Sequence, residues 1–135
     1  MSILFVADHD AVDQRIIKLS LVKAPVFKHV IYFSEGQQLI NYLQNNKNDT
    51  SNLPDVILLS LNLPDSNSWD VLDQINSLYP YLSKKLVVYL TSAYITRDER
   101  DAALEYPFVK EIVYKPILKE KLTAIAEEVK SNRVF

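Results

Sequence analysis

Four stretches of the sequence carry side chains able to do chemistry: VADHD with Asp8, His9 and Asp10, DVILLSLNLP with Ser60 and Asn62, LVVYLT with Thr91, and VYKPI with Lys115. Ser60 ends an apolar run. A serine nucleophile needs an activating base, and none stands beside it in sequence. Its hydroxyl is therefore expected to be satisfied by a neighbouring backbone group or by Lys115, and a phosphoserine there would lie near that cation. Lys115 itself is expected to pair with Asp8. Asp8 and Asp10 can also accept from the free N–H groups of a helix start. His9 between two carboxylates raises a metal site, but the only other histidine is His29, a poor set for a transition metal. Thr91 reads as a strand-end hydroxyl bonded to nearby backbone. Trp69 reads as packing against the loop before its helix.

Composition narrows the chemistry further. The 135 residues are 48% apolar and 24% charged, with net charge −2, as in a single globular domain able to bury a sizeable core. No basic footprint points to nucleic acid or an anionic membrane. Cysteine is absent, which excludes disulfides, thiolate metal sites and cysteine nucleophiles. The single glycine, Gly36, rules out Gly-rich phosphate loops. No apolar run approaches a membrane span, and MSILFVADHD lacks a basic signal-peptide start. A cytoplasmic location is the expectation.

The elements that must position these residues alternate. ILFVA (3–7), HVIYF (29–33), DVILLS (55–60), LVVYLT (86–91) and EIVY (111–114) read as five strands, three of them continuous enough for parallel strands covered on both faces. Between them, Val12/Ile16/Leu19 and Val71/Ile75/Leu78 recur with helical spacing, and Leu118, Leu122, Ile125 and Val129 form the stripe of a last helix. Ser34 with Gln37 and Thr96 with Glu99 fit capping boxes, and Asn67 fits an N-cap. NNKNDTSN (45–52) reads as a polar loop. The pattern is (βα)5, an α/β doubly wound parallel sheet in one domain over 1–135 with no output domain. Function in such folds gathers at the carboxyl ends of the strands, where Asp8, Asp10, Ser60, Asn62, Thr91 and Lys115 all fall.

In this order and on these strands, VADHD, LLSLNLPDSNSWDVL, YLTSA and VYKPI resemble the receiver domain of bacterial response regulators, over nearly the whole chain. The polar insert before strand three and the wording LTSAYITRDERDAA are similar to single-domain receivers of the Bacteroidetes group. The resemblance implies a flavodoxin/CheY-like sheet of order 2-1-3-4-5. It also implies a strand-three aspartate that takes a phosphoryl group from a kinase histidine by positioning and charge stabilisation. Carboxylates would hold Mg²⁺. A lysine and a hydroxyl would bind the acylphosphate, with the hydroxyl coupled to an aromatic on strand five.

Several positions depart from that pattern. Asp8 matches one metal-binding acid, but Ala7 stands where a second is usual, and Ser60 occupies the phosphoacceptor position. Thr91 and Lys115 match, Ile112 replaces the switch aromatic, and Ser68 replaces a frequent glycine. A serine hydroxyl is neutral and has one oxygen, so it does not replace a carboxylate. With Asp8 the only carboxylate left of three, the expected cofactor is none beyond a weak Mg²⁺ site at Asp8 and the Asn62 backbone carbonyl.

The expected function is a stand-alone pseudo-receiver: a signalling module in a two-component phosphorelay, not an enzyme, that binds partners without taking a phosphoryl group. The expected partners are a histidine kinase, a phosphotransferase or another signalling protein. A homodimer through the face of helix 4, strand 5 and helix 5 is a further expectation, with Tyr94, Tyr106 and Phe108 inside a rim of Arg97, Asp98, Arg100, Asp101, Lys110 and Glu111. The alternative for these aromatics is that they close the edge of the core. Two other functions compete. One is active phosphotransfer at Ser60 or at a displaced carboxylate such as Asp65. The other is binding of a small anion at Lys115 and Thr91.

Overall fold

A computed structural model describes residues 1–63 and 67–134. Five strands, β1 (Ser2–Ala7), β2 (Phe27–Phe33), β3 (Val56–Ser60), β4 (Val87–Ser92) and β5 (Val109–Tyr114), alternate with helices α1 (Ala11–Lys23), α2 (Gly36–Asn45), α3 (Ser68–Leu78), α4 (Arg97–Ala103) and α5 (Lys119–Val134). All strand pairs are parallel, in the order β2-β1-β3-β4-β5. The doubly wound architecture read from the alternation is therefore the one observed.

The apolar runs have a simple cause. Successive side chains of a strand point to opposite faces, and both faces of this sheet are covered. From β1, Ile3, Phe5 and Ala7 enter a core layer with Leu39, Leu43, Leu72 and Ile75 of α2 and α3. Leu4 and Val6 enter the opposite layer with Ile17 of α1 and Leu122, Ile125 and Val129 of α5. β3 lies at the centre of the sheet, and all five of its residues are buried. At its foot, buried Asp55 accepts a hydrogen bond from the Ile3 N–H at 2.8 Å and meets Lys84 at 3.5 Å, which anchors the strand against β1.

The Thr96–Glu99 capping box is present on α4, and Asn67 caps α3 by accepting from the Trp69 N–H at 2.7 Å. At α2, however, the side chain that answers Ser34 is Gln38, whose Oε1 accepts the Ser34 N–H at 3.2 Å, while Gln37 bonds Asn41. Within 45–52, Asp49 gathers Ser51 and Asn52 by side-chain hydrogen bonds around a 3₁₀ turn at Thr50–Asn52.

The α1 stripe is corrected. Val12 and Leu19 are 66% and 55% exposed, whereas α1 buries Ile17 and Ser20, a face rotated by one residue. The last helix keeps Leu122, Ile125 and Val129 inside, but Leu118 precedes its first turn and is 49% exposed. Ile117 takes the buried place instead. Among the described residues, no helix is long and apolar enough to cross a membrane.

Candidate functional site: an ion cluster at the ends of β1, β3 and β5

Asp8 follows β1 directly. Its N–H continues the β1–β2 ladder to the Phe33 carbonyl at 2.9 Å, and Gln14 of α1 donates to the carbonyls of Asp8 (2.7 Å) and Phe33 (3.2 Å), tying off both strand ends. One carboxylate oxygen, Oδ1, accepts the Asp10 N–H at 2.9 Å. Asp10 in turn is the N-cap of α1, accepting from Val12 at 2.8 Å and Asp13 at 3.1 Å. These bonds satisfy free N–H groups of the first helical turn. They also set the direction in which that turn projects Asp13.

Asp13 is the residue that sequence reasoning missed. Its Oδ2 lies 2.8 Å from Lys115 Nζ, and Asp8 Oδ2 lies 2.9 Å from the same nitrogen. Asp8 is therefore not the sole carboxylate of the pocket. In the sequence, Asp13 reads as an ordinary first-turn acid favoured by the helix dipole, and nothing local marks its reach to the end of β5. Lys115 is held from the other side too, its N–H donating to the Ser92 carbonyl at 2.9 Å.

Lys115 Nζ also donates to Ser60 Oγ at 3.2 Å, as expected for a serine satisfied by its neighbours. That oxygen accepts the Asn62 N–H at 3.1 Å, and the hydroxyl donates to the Asn62 carbonyl at 3.5 Å. A hydroxyl has one donor and two acceptor positions; both acceptor positions of Ser60 are used, its donor reaches the Asn62 carbonyl only at a long 3.5 Å, and it is 1% exposed. Ser68, in the position where a glycine is frequent, is buried and donates to the Ser60 carbonyl at 2.6 Å. Thr91 is the register partner of Ser60 across β3–β4 and is also buried. Asp65 lies outside the described residues.

The electrostatics follow from burial and shared charge. Burial opposes the positive charge of Lys115, but hydrogen bonds and attraction from Asp13 and Asp8 outweigh it and hold its pKa above the ordinary lysine value. Asp8 is raised above the usual carboxylate range. Its burial exceeds the help from the Asp10 N–H and Lys115, and the Asp13 charge adds to the cost. The two directions are compatible because one ammonium is divided between two acids.

This arrangement bears on a metal. Oδ1 of Asp8 accepts a backbone N–H, and its Oδ2 faces the Lys115 ammonium. The cationic position between the carboxylates is filled by Lys115, so these residues do not fit Mg²⁺ as they stand. Among the described residues, no group of three or more potential metal-binding side chains is present. His9 is exposed.

The aromatic face also needs correction. Phe108 is 5% exposed and stacks on Tyr79 with ring centroids 5.4 Å apart. Tyr106 packs between Trp69 and Phe108, and its hydroxyl donates to Asp73 at 2.6 Å. These two rings close the core's edge because α3 and the turn after it bring apolar surface against them; only Tyr94, 75% exposed, remains free to serve as an anchor. Part of the charged rim is occupied within the chain, by Lys110–Glu128 at 3.3 Å and Lys121–Glu111 at 2.6 Å. Ile112 is buried in the core layer with Leu90 and Phe108.

No family model matches the sequence, and no curated protein matches it. Solved structures do match. A two-component response regulator from Cytophaga hutchinsonii superposes with a TM-score of 0.84 at 19% identity, covering 96% of each chain. A response regulator receiver protein from Dyadobacter fermentans gives 0.78 at 19% identity, over 95% of this chain and 97% of that one. The phosphorylated cyanobacterial phytochrome response regulator RcpA gives 0.72 at 27% identity, over 96% and 91%. With its strand order and strand-end pocket, the structure matches the CheY-like receiver fold of response regulators.

Proposed function

We propose that this chain is a receiver-type signalling module of a two-component system that works by binding a partner, with no phosphoryl transfer at Ser60 and no catalytic turnover. The observation that carries this reading is the state of Ser60. It is buried, accepts from the Asn62 N–H, and is bound by the very lysine that would otherwise meet a phosphoryl group. No carboxylate occupies its position, and among the described residues no base contacts its hydroxyl, which argues against both acylphosphate chemistry and an activated serine there. The partner is a histidine kinase, a phosphotransferase or another component of such a system. Exposed Leu19 and Leu118, beside Lys23 and Lys119 in the α1–α5 groove, offer docking surface in addition to exposed Tyr94, Leu104 and Tyr114 of the α4 and β5 region.

Intact mass after incubation with acetyl phosphate and Mg²⁺ tests the reading, with a Ser60→Asp variant run beside the parent. The expected result is no added phosphoryl mass on the parent. A phosphoryl group mapped to Ser60 or Asp65 would make the chain an active phosphorelay member instead.

A further inference from the structure

The cluster contains two carboxylates and one ammonium within hydrogen-bond distance, and their charges do not cancel: Asp8 and Asp13 against Lys115 leave one negative charge in excess. Asp10, exposed at the mouth and committed to the α1 cap, adds another. His9 is the other titratable side chain beside these acids, and it is exposed. Among the described residues, the β3 side contributes the Ser60 hydroxyl and the Asn62 backbone, and β4 the neutral Thr91.

Lys115 is the sole cationic group among these residues, and its ammonium has three hydrogens. Asp8, Asp13 and Ser60 take one each, at 2.9, 2.8 and 3.2 Å. None is left for a ligand. An incoming anion would have to displace a carboxylate from Lys115 while approaching the other one, and in a pocket where Asp8 is 2% exposed solvent screens that repulsion weakly.

The geometry points to Asp13 as a specificity-determining residue that makes this pocket exclude anions. It fills the third coordination position of Lys115 and takes the Asp8–Lys115 pair from neutral to one negative charge in excess, where the free ammonium hydrogen could otherwise meet a phosphate oxyanion. The inference rests on the partner-binding reading above and extends it: the module does not respond to free phosphate, and it disfavours a phosphorylated group presented at this pocket. Asp13 is suited to the role because it sits on the first turn of α1, positioned by the Asp10 cap rather than by the strand that carries Asp8. Its partly exposed carboxylate, 24% accessible, can also be replaced without opening the core.

The test is a titration of the parent, Asp13→Asn and Asp8→Asn/Asp13→Asn with inorganic phosphate, at constant ionic strength, reading amide chemical shifts at residues 8, 60, 91 and 115. The parent is expected to show no saturable shift. Asp13→Asn is expected to show one, and the double variant a stronger one at lower phosphate. Amide spectra without phosphate establish that each variant keeps the fold. A saturable response of the parent equal to that of the double variant overturns the inference, and so does silence in both folded variants. The outcome is separable from that of the phosphoryl-mass experiment. A label at Asp65 in a parent that is blind to free phosphate would defeat the partner-binding reading and leave Asp13's role standing, a label at Ser60 would overturn both, and phosphate binding by an unlabelled parent would overturn Asp13's role alone.

Discussion

Asp13 and Lys115 are 102 positions apart in the chain, yet their side chains meet at 2.8 Å. The contact joins the first turn of α1 to the end of β5, and with Asp8 it turns the strand-end pocket into a closed ion cluster. Lys115 is thereby engaged by two carboxylates and the Ser60 hydroxyl at once.

Breaking that cluster one-sidedly should be costly. Lys115→Met leaves two carboxylates side by side with one of them buried, and it should destabilise the protein by about 3 kcal/mol. Lys115→Met combined with Asp8→Asn should recover part of that loss. Urea unfolding of the two single variants and the double variant gives the coupling directly. Additive losses would show that the buried pair carries no specific interaction.

Acid should separate two aspartates that look alike in sequence. Asp8 titrates above the ordinary value of 3.8 because burial dominates, whereas Asp49 titrates below it because the Ser51 hydroxyl hydrogen-bonds its charged form. A raised folded-state pKa means that Asp8 favours folding most when protonated. Relative to Asp8→Asn, the parent should therefore gain stability as pH falls through the folded pKa of Asp8. The Asp49 contribution has the opposite sign, being present above its unfolded pKa and lost as pH falls through its folded one. Carboxyl ¹³C shifts followed against pH give both midpoints, and denaturant midpoints of parent and variant check the sign.

At the alkaline end Lys115 behaves in the ordinary way for a paired lysine. Its pKa is raised above 10.5, so its contribution is complete below that value and disappears as pH rises through the higher folded pKa. The stability advantage of the parent over Lys115→Met should thus stay flat through neutral pH and fall only in strong base. A fall beginning near neutrality would show that the two carboxylates do not hold the ammonium.

Restoring an aromatic at the strand-five position should be resisted by packing. Ile112 is 8% exposed in a filled layer with Leu90 and Phe108, and Ile112→Tyr adds volume together with a hydroxyl that needs a partner. A loss of about 1–3 kcal/mol in chemical denaturation is expected. If the variant is as stable as the parent, the layer has room for a ring at this position.

Thr96→Ala tests a feature read from sequence spacing alone. The threonine accepts the Glu99 N–H at 3.1 Å and the Glu99 carboxylate accepts the Thr96 N–H at 2.9 Å. Loss of this reciprocal cap should cost about 1 kcal/mol, measured as a shift in the unfolding midpoint without a change in slope.

The alternation of apolar runs with helical stripes was enough to specify the sheet, because a parallel strand buried on both faces has little choice but to be apolar throughout, as Val56 to Leu59 are. Caps such as Thr96 and Asn67 were legible for the same reason: their chemistry is completed within three residues. The positions of Asp8, Ser60, Thr91 and Lys115 at strand ends also followed from the sequence, since topology sends each strand's carboxyl end to the same edge of the sheet. What the sequence left open depended on rotation and distance. The burial of Ile17 instead of Val12 and Leu19 is set by how α1 settles on the sheet beside α5. Phe108 is core, and Tyr106 packs against it, because of what α3 and the turn after it bring against them. Asp13 belongs with these. Its charge and its place in a first turn were visible, but only the packing of α1 beside the end of β5 decided that this carboxylate, and not one on β3, would hold Lys115.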